Sequence, residues 1–133
     1  MSEWLFEGKH IDDTDIDGFI GFVYIICNLT NNRKYIGKKL LKFTRTKTIK
    51  GKKKKVKIDS DWLTYYGSND ELLEDVNKLG KENFKREIFR FCKTKGECSY
   101  FEAQLQFEHG ALLSDSYYNS WISCKIHKKH LKL

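Results

Sequence analysis

From Gly21 to Cys27 the chain reads Gly-Phe-Val-Tyr-Ile-Ile-Cys, a β-branched and aromatic run of the kind strands prefer. Thr30-Asn31-Asn32 follows as a turn signal, because asparagine tolerates positive φ and bonds its own backbone. Arg33 to Lys38 then returns as a second strand of a hairpin. Side chains alternate across a strand. Val23, Ile25 and Cys27 therefore share one face, and Tyr24 and Ile26 share the other. With Ile36 on the Val23/Ile25 face, Tyr24 and Tyr35 project together from the opposite face, beside the position left bare by Gly37. Further on, Ser68-Asn69-Asp70-Glu71 fits a capping box. Leu72, Leu73, Val76 and Leu79 have helical spacing, and Gly80 is a natural stop. Residues 83–92 read as a third strand and 93–96 as a turn. A second helix is expected over about residues 99–109, with Ser99 as its cap and Gly110 as its end. Strand, strand, helix, strand, helix gives an α+β fold, a small, mainly antiparallel sheet with helices beside it.

The stretches between these elements divide the chain. Residues 1–18 read as an acidic arm, with Trp4, Leu5 and Phe6 to dock it and Asp12 to Asp17 left in water. That arm could also cover a basic face. Residues 39–58 form a basic insertion, read as an irregular or extended hairpin turning near Ile49-Lys50-Gly51-Lys52. The main domain spans 19–120, and 121–133 is a basic tail. A length of 133 residues fits one domain, and 19 aromatics supply much of its core volume. No run approaches the ~20 apolar residues of a membrane span. The N-terminus lacks a basic-then-apolar leader, so an intracellular, cytoplasmic location is expected. Cys27, Cys92, Cys98 and Cys124 form no Cys-x-x-Cys pair and are expected to be reduced and partly buried.

Charge changes the picture more than composition does. The net charge is +7, and thirteen Lys/Arg with no Asp/Glu fall between Arg33 and Lys57. A one-sided basic block on an otherwise balanced domain is the footprint of a polyanion binder. A solvated charged loop or a membrane-surface patch would have the same composition; adjacency to the tyrosine hairpin favours nucleic acid. The lysines expected to grip phosphate are Lys39, Lys42, Lys47, Lys50, Lys52, Lys53, Lys54, Lys55 and Lys57.

These residues resemble the GIY-YIG nuclease superfamily, in particular its small phage homing-type endonucleases. Phe22-Val23-Tyr24 stands at the first triplet, with Phe22 in place of its glycine, and Tyr35-Ile36-Gly37 matches the second letter for letter. Arg45 follows Gly37 by eight positions, where the family carries an arginine. Tyr65-Tyr66-Gly67-Ser68, Gly80-Lys81-Glu82-Asn83-Phe84, Glu102 and Asn119 then fall in the family's order. The resemblance covers roughly residues 19–120 and implies a three-stranded antiparallel sheet flanked by helices. It also implies phosphodiester hydrolysis with Mg²⁺ or Mn²⁺ in an infected host cell.

Such hydrolysis needs an activated water, a Lewis acid, a cation for the pentacovalent centre and a grip on the backbone. Glu102 is the candidate metal ligand, since a hard divalent ion accepts one carboxylate and several waters; the same spacing would let it cap the helix with Ser99. Arg45 offers a planar fork for two phosphate oxygens, unlike a lysine. Tyr24 and Tyr35 are candidates to activate or position the water, but a free phenol titrates near ~10 and needs help from nearby positive charge. Lys38, Arg45 and the lysine block are the expected sources. By the resemblance Lys38 lies near the attacking water, and Tyr24 is favoured as the activating residue. Asn119 could orient Tyr24 or a phosphate, or serve only as a turn residue. Many relatives carry His or Tyr where Ile49 stands, leaving Tyr65, Tyr66 or an inserted lysine to replace it. Cys124, His127 and His130, with Cys92 and Cys98, offer zinc ligands at spacings that match no familiar module.

The expected function is metal-dependent DNA cleavage, homing-type or nicking, with duplex DNA as partner and a homodimer as one route to a double-strand break. The rival is a non-catalytic nucleic-acid-binding module on the same fold. A structural protein with a basic surface is a third reading. A basic stripe does not by itself distinguish DNA from RNA.

Overall fold

The computed structural model describes residues 3–123 and 125–131. In chain order its strands and helices are β1 (Leu5–Phe6), β2 (Lys9–His10), β3 (Gly21–Asn28), β4 (Arg33–Leu40), β5 (Lys42–Ile49), β6 (Lys52–Asp59), α1 (Asp70–Leu79), β7 (Phe84–Cys92) and α2 (Lys95–Glu108). The expected hairpin is β3–β4. Its register pairs Tyr24 with Gly37, Ile25 with Ile36 and Ile26 with Tyr35. The alternation read from sequence therefore holds, with both tyrosines on one face.

The main sheet has five strands in the order β2-β1-β7-β3-β4, not three. The three long ones, β7, β3 and β4, are the antiparallel set expected from the pattern. The two additions come from the N-terminal segment, where β1 pairs parallel with β7 and antiparallel with β2. Pairings two residues long carry no periodic signal; burial anchors them. Trp4 has no exposed surface and donates its indole N–H to the carbonyl of Trp62 at 2.7 Å. The following acids, Asp12, Asp13, Asp15 and Asp17, are exposed, as expected.

Both faces of the sheet are covered. One carries Trp4, Phe22, Tyr24, Ile26, Leu72, Val76 and Ile88 under the N-terminal segment and α1. The other packs Val23, Ile36 and Cys92 against Cys98 and Leu105 of α2. The tyrosine face is thus a second core.

Helix ends differ from the pattern's assignment. Asn69, not Ser68, caps α1, accepting from the Leu72 N–H at 2.9 Å. Its side chain is one bond longer than serine's and also donates to the Tyr118 carbonyl at 3.0 Å. α2 begins at Lys95, inside the expected turn, because Thr94 accepts the Glu97 N–H at 3.0 Å. Ser99 is therefore interior and does not cap. Gly110, at φ +60, closes α2 in the left-handed conformation expected of a helix stop.

The basic insertion folds as a regular antiparallel ribbon. β5 and β6 pair along all eight residues as a separate two-stranded sheet. Lys50 (φ +51) and Gly51 (φ +76) form its tip. Two successive positive φ values match the right-handed twist of the flanking strands.

A candidate active site on the edge of the sheet

β4 is an outer strand of the main sheet, so its outward N–H and C=O groups must find partners elsewhere. They do so in sequence along the strand. Lys34 N–H donates to the Ser116 carbonyl at 2.9 Å, and Tyr118 N–H donates back to the Lys34 carbonyl at 2.8 Å. Two residues on, Ile36 N–H donates to Asn119 Oδ1 at 3.0 Å. The Ile36 carbonyl accepts from Asn119 Nδ2 at 2.8 Å and from Gln106 Nε2 at 3.2 Å. Two residues further, the Lys38 N–H faces the Glu102 carboxylate and favours its charged form. The Asn119 amide thus imitates one residue of an added strand. Both ends of that amide are thereby engaged by the sheet edge.

Where the edge ends, a cavity of about 360 Å³ opens, lined by Tyr24, Tyr35, Lys38, Ser68, Glu102, Gln106, Asn119 and Trp121. Gly37 makes this assembly possible. A Cβ on it would stand 2.6 Å from Tyr24 Cζ and 3.0 Å from Tyr35 Cε2. The space beside Gly37 is therefore filled by the Tyr24 ring, not by water.

Tyr24 is completely buried, and its hydroxyl donates to the Tyr65 hydroxyl at 3.5 Å. Burial pushes its phenol well above the ordinary value of 10, and Tyr65, Tyr35 and Glu102 push the same way. These influences all favour the protonated phenol. Tyr24 is accordingly a neutral hydrogen-bonding phenol in the free protein. Tyr35 is less enclosed. Burial raises it too, partly offset by its 3.3 Å hydrogen bond with Ser68. Of the three residues considered for the place of Ile49, Tyr65 lies against Tyr24, its ring 5.9 Å away and nearly perpendicular. Arg86, itself buried, holds that segment by donating to the Leu63 and Tyr65 carbonyls at 3.1 and 2.8 Å. The sequence reading singled out neither Arg86 nor Gln106; both show only when a buried polar group is asked for its partner.

Glu102 is raised above the ordinary glutamate value, first by burial, against the opposing charge and N–H of Lys38. Lys38 Nζ donates to Ser99 Oγ at 2.6 Å, so Ser99 serves the site rather than the helix end. One turn on, Gln106 Nε2 is committed to a carbonyl that can only accept, which leaves Oε1 buried without a partner among the described residues. A desolvated carboxylate, two phenols and a serine hydroxyl are hard oxygen donors around one cavity. They fit a small divalent cation that keeps most of its waters. Zinc fits less well: Cys92 and Cys98 are buried in the core, and Cys124 lies outside the described residues. Among the described residues no group of three His, Cys, Asp or Glu is placed to hold a metal.

Arg45 does not line the cavity. It stands on β5 with its guanidinium 5.2 Å from the Phe43 ring, because the insertion forms a ribbon that carries it off the sheet edge. Lys39 is engaged with its neighbours in the free protein. Its ammonium pairs with Asp61 at 2.6 Å and lies 4.1 Å from the Tyr65 ring centre. Lys42 pairs with Asp59 at 2.9 Å, while Lys47, Lys50, Lys52, Lys53, Lys54, Lys55 and Lys57 are exposed. Among the described residues no helix is long and apolar enough to cross a membrane.

The chain matches the model of one protein family, described as the GIY-YIG domain of the putative endonuclease SegE, over residues 4–122. No curated protein and no solved structure matches it significantly. The family match begins at the buried Trp4 and so includes the two short strands.

Proposed function

The chain belongs to the GIY-YIG endonuclease superfamily, through its SegE-type domain, and from that premise we propose that it is a divalent-metal-dependent DNA endonuclease. One observation carries the reading: a partly buried carboxylate, Glu102, meets Lys38, Tyr35 and Tyr24 on the wall of one cavity. A binding module has no use for a carboxylate desolvated beside a basic surface.

In this reading Glu102 holds Mg²⁺ or Mn²⁺. When bound, the ion supplies Lewis acidity to the leaving oxygen. Lys38, exposed at the cavity mouth, stabilises charge on the reacting phosphate. Tyr35 and Ser68 position the attacking water. Tyr24 supports them from below through Tyr65, and Asn119 holds the edge on which Lys38 and Glu102 meet. Arg45 and the ribbon lysines bind flanking phosphates. Each site cuts one strand, so nicking is the primary event. A double-strand break takes two protomers or two visits, as a homing-type role requires.

Supercoiled plasmid incubated with the protein and Mg²⁺, and in parallel with EDTA, tests this. Metal-dependent nicking that is lost in folded, DNA-binding Glu102→Ala supports it. Binding without cleavage under Mg²⁺ and Mn²⁺ across varied DNA sequences would return the chain to a non-catalytic binding module.

A further inference from the structure

The β5–β6 ribbon has two unlike faces. Its register sets Phe43 opposite Ile58, Arg45 opposite Val56, Lys47 opposite Lys54 and Ile49 opposite Lys52. This face meets the body at its base, through Phe43. Phe43 is half-buried, with the Lys39 ammonium 5.1 Å from its ring, and lines a cleft with Lys38, Tyr65 and Cys98. On the other face Thr44, Thr46 and Thr48 stand opposite Lys57, Lys55 and Lys53, and all six are exposed.

Building on the nuclease reading, we propose that this threonine face is the DNA-reading element, entering the major groove of B-form duplex. Three features point to that occupant. The first is size. Eight-residue strands extend about 25 Å at about 3.3 Å per residue and stand about 4.8 Å apart. A two-stranded ribbon of that kind fits a major groove about 12 Å wide. The second is charge. Between Lys42 and Asp59 the ribbon carries nine Lys/Arg against one acid, and Lys53, Lys55 and Lys57 run along one strand of the threonine face. Like charges in a row repel one another and are relieved by the phosphates of a groove wall. Lys42, Lys93 and Lys95 continue the positive surface at the base of the threonine face. The third is chemistry. Lysine on phosphate carries no sequence information. A row of threonines presents short hydroxyls that donate to or accept from base edges, and methyls that meet the thymine methyl. The alternation puts this row, flanked by cations, on one face of the ribbon; its base at Thr44 and Lys57 borders Ile20, Leu40 and Lys93 of the body, and Thr46 and Thr48 stand exposed beyond it.

The test uses the full chain in EDTA, so that binding is read without cleavage. The protein is equilibrated with a pool of randomised B-DNA duplexes, and the bound fraction is sequenced. The same selection is run with Thr44→Val/Thr46→Val/Thr48→Val, which keeps β-branching and removes the hydroxyls. Circular dichroism checks that the variant folds. Wild type is expected to enrich a motif over a few base pairs, and the variant to lose about tenfold or more of that preference. Duplex RNA should compete weakly, because its deep, narrow major groove excludes the ribbon. No enriched motif, the same motif at the same strength in the variant, or equal competition by duplex RNA or by phosphatidylserine vesicles would overturn the proposal. Metal-dependent plasmid nicking by wild type is scored separately. The nuclease reading can therefore stand when this one falls, and the reverse.

Discussion

Replacing Gly37 by alanine adds one methyl at the most crowded point of the site. The new Cβ would lie 2.6 Å from Tyr24 Cζ and 3.0 Å from Tyr35 Cε2. Both atoms belong to rigid rings, and the Tyr24 ring has no exposed surface into which to swing. Overpacking of this kind costs about 1–3 kcal/mol, and an approach below 3 Å to a buried ring belongs near the top of that range. Gly37 is not among the glycines with positive φ, so its backbone accepts alanine, and the narrower unfolded ensemble returns about 0.4–1 kcal/mol. The net expectation is a loss of about 2 kcal/mol, or a Tm lowered by roughly 6–8 °C. Urea denaturation of Gly37→Ala, Tyr24→Ala and the double variant isolates the interaction. Tyr24→Ala alone should cost about 3–5 kcal/mol. In its cavity the added methyl should be neutral or stabilising, giving a coupling of about 2 kcal/mol. An unchanged stability for Gly37→Ala, or an equal cost in both backgrounds, refutes the reasoning that Gly37 exists to seat the Tyr24 ring.

Asn119→Ala should cost about 1–2 kcal/mol by removing the acceptor of the Ile36 N–H; native-state hydrogen exchange at Ile36 should accelerate, and an unchanged rate would dismiss the edge-completing role. Glu102 is raised above its unfolded value, so its contribution is present below the ordinary glutamate pKa of 4.5 and is lost as pH rises through the folded value. Glu102→Gln should therefore gain stability relative to wild type as pH rises from that value, while losing Mn²⁺ binding read by electron paramagnetic resonance; a pH-independent difference would contradict the burial of the carboxylate. Lys53→Gln/Lys55→Gln/Lys57→Gln should flatten the slope of log K against log salt for DNA by roughly 2–3, about 0.9 for each phosphate no longer neutralised, and an unaltered slope removes these lysines from the interface. Trp4→Ala should cost about 3–5 kcal/mol in urea, and a loss below about 1 would place the N-terminal segment outside the core.

The sequence by itself determined the hairpin, the two helices, the third long strand and the common face of Tyr24 and Tyr35. All of these rest on periodicity or on turn chemistry a few residues long. It also marked the basic insertion, because charge can be counted without a fold. Helix starts were misread where two candidate caps stood near one another: Ser68 beside Asn69, and Thr94 ahead of Ser99. Which side chain reaches the free amide depends on backbone geometry. Only the tertiary structure decided that Trp4 and two short strands complete the sheet, and that Asn119 and Gln106 meet the Ile36 carbonyl from 83 and 70 residues away. It also turned the phenol of Tyr24 away from ionisation and lifted Arg45 off the sheet edge. These are consequences of burial and of unpaired backbone groups on an edge strand. Neither exists until distant segments have packed, so neither leaves a local pattern to read.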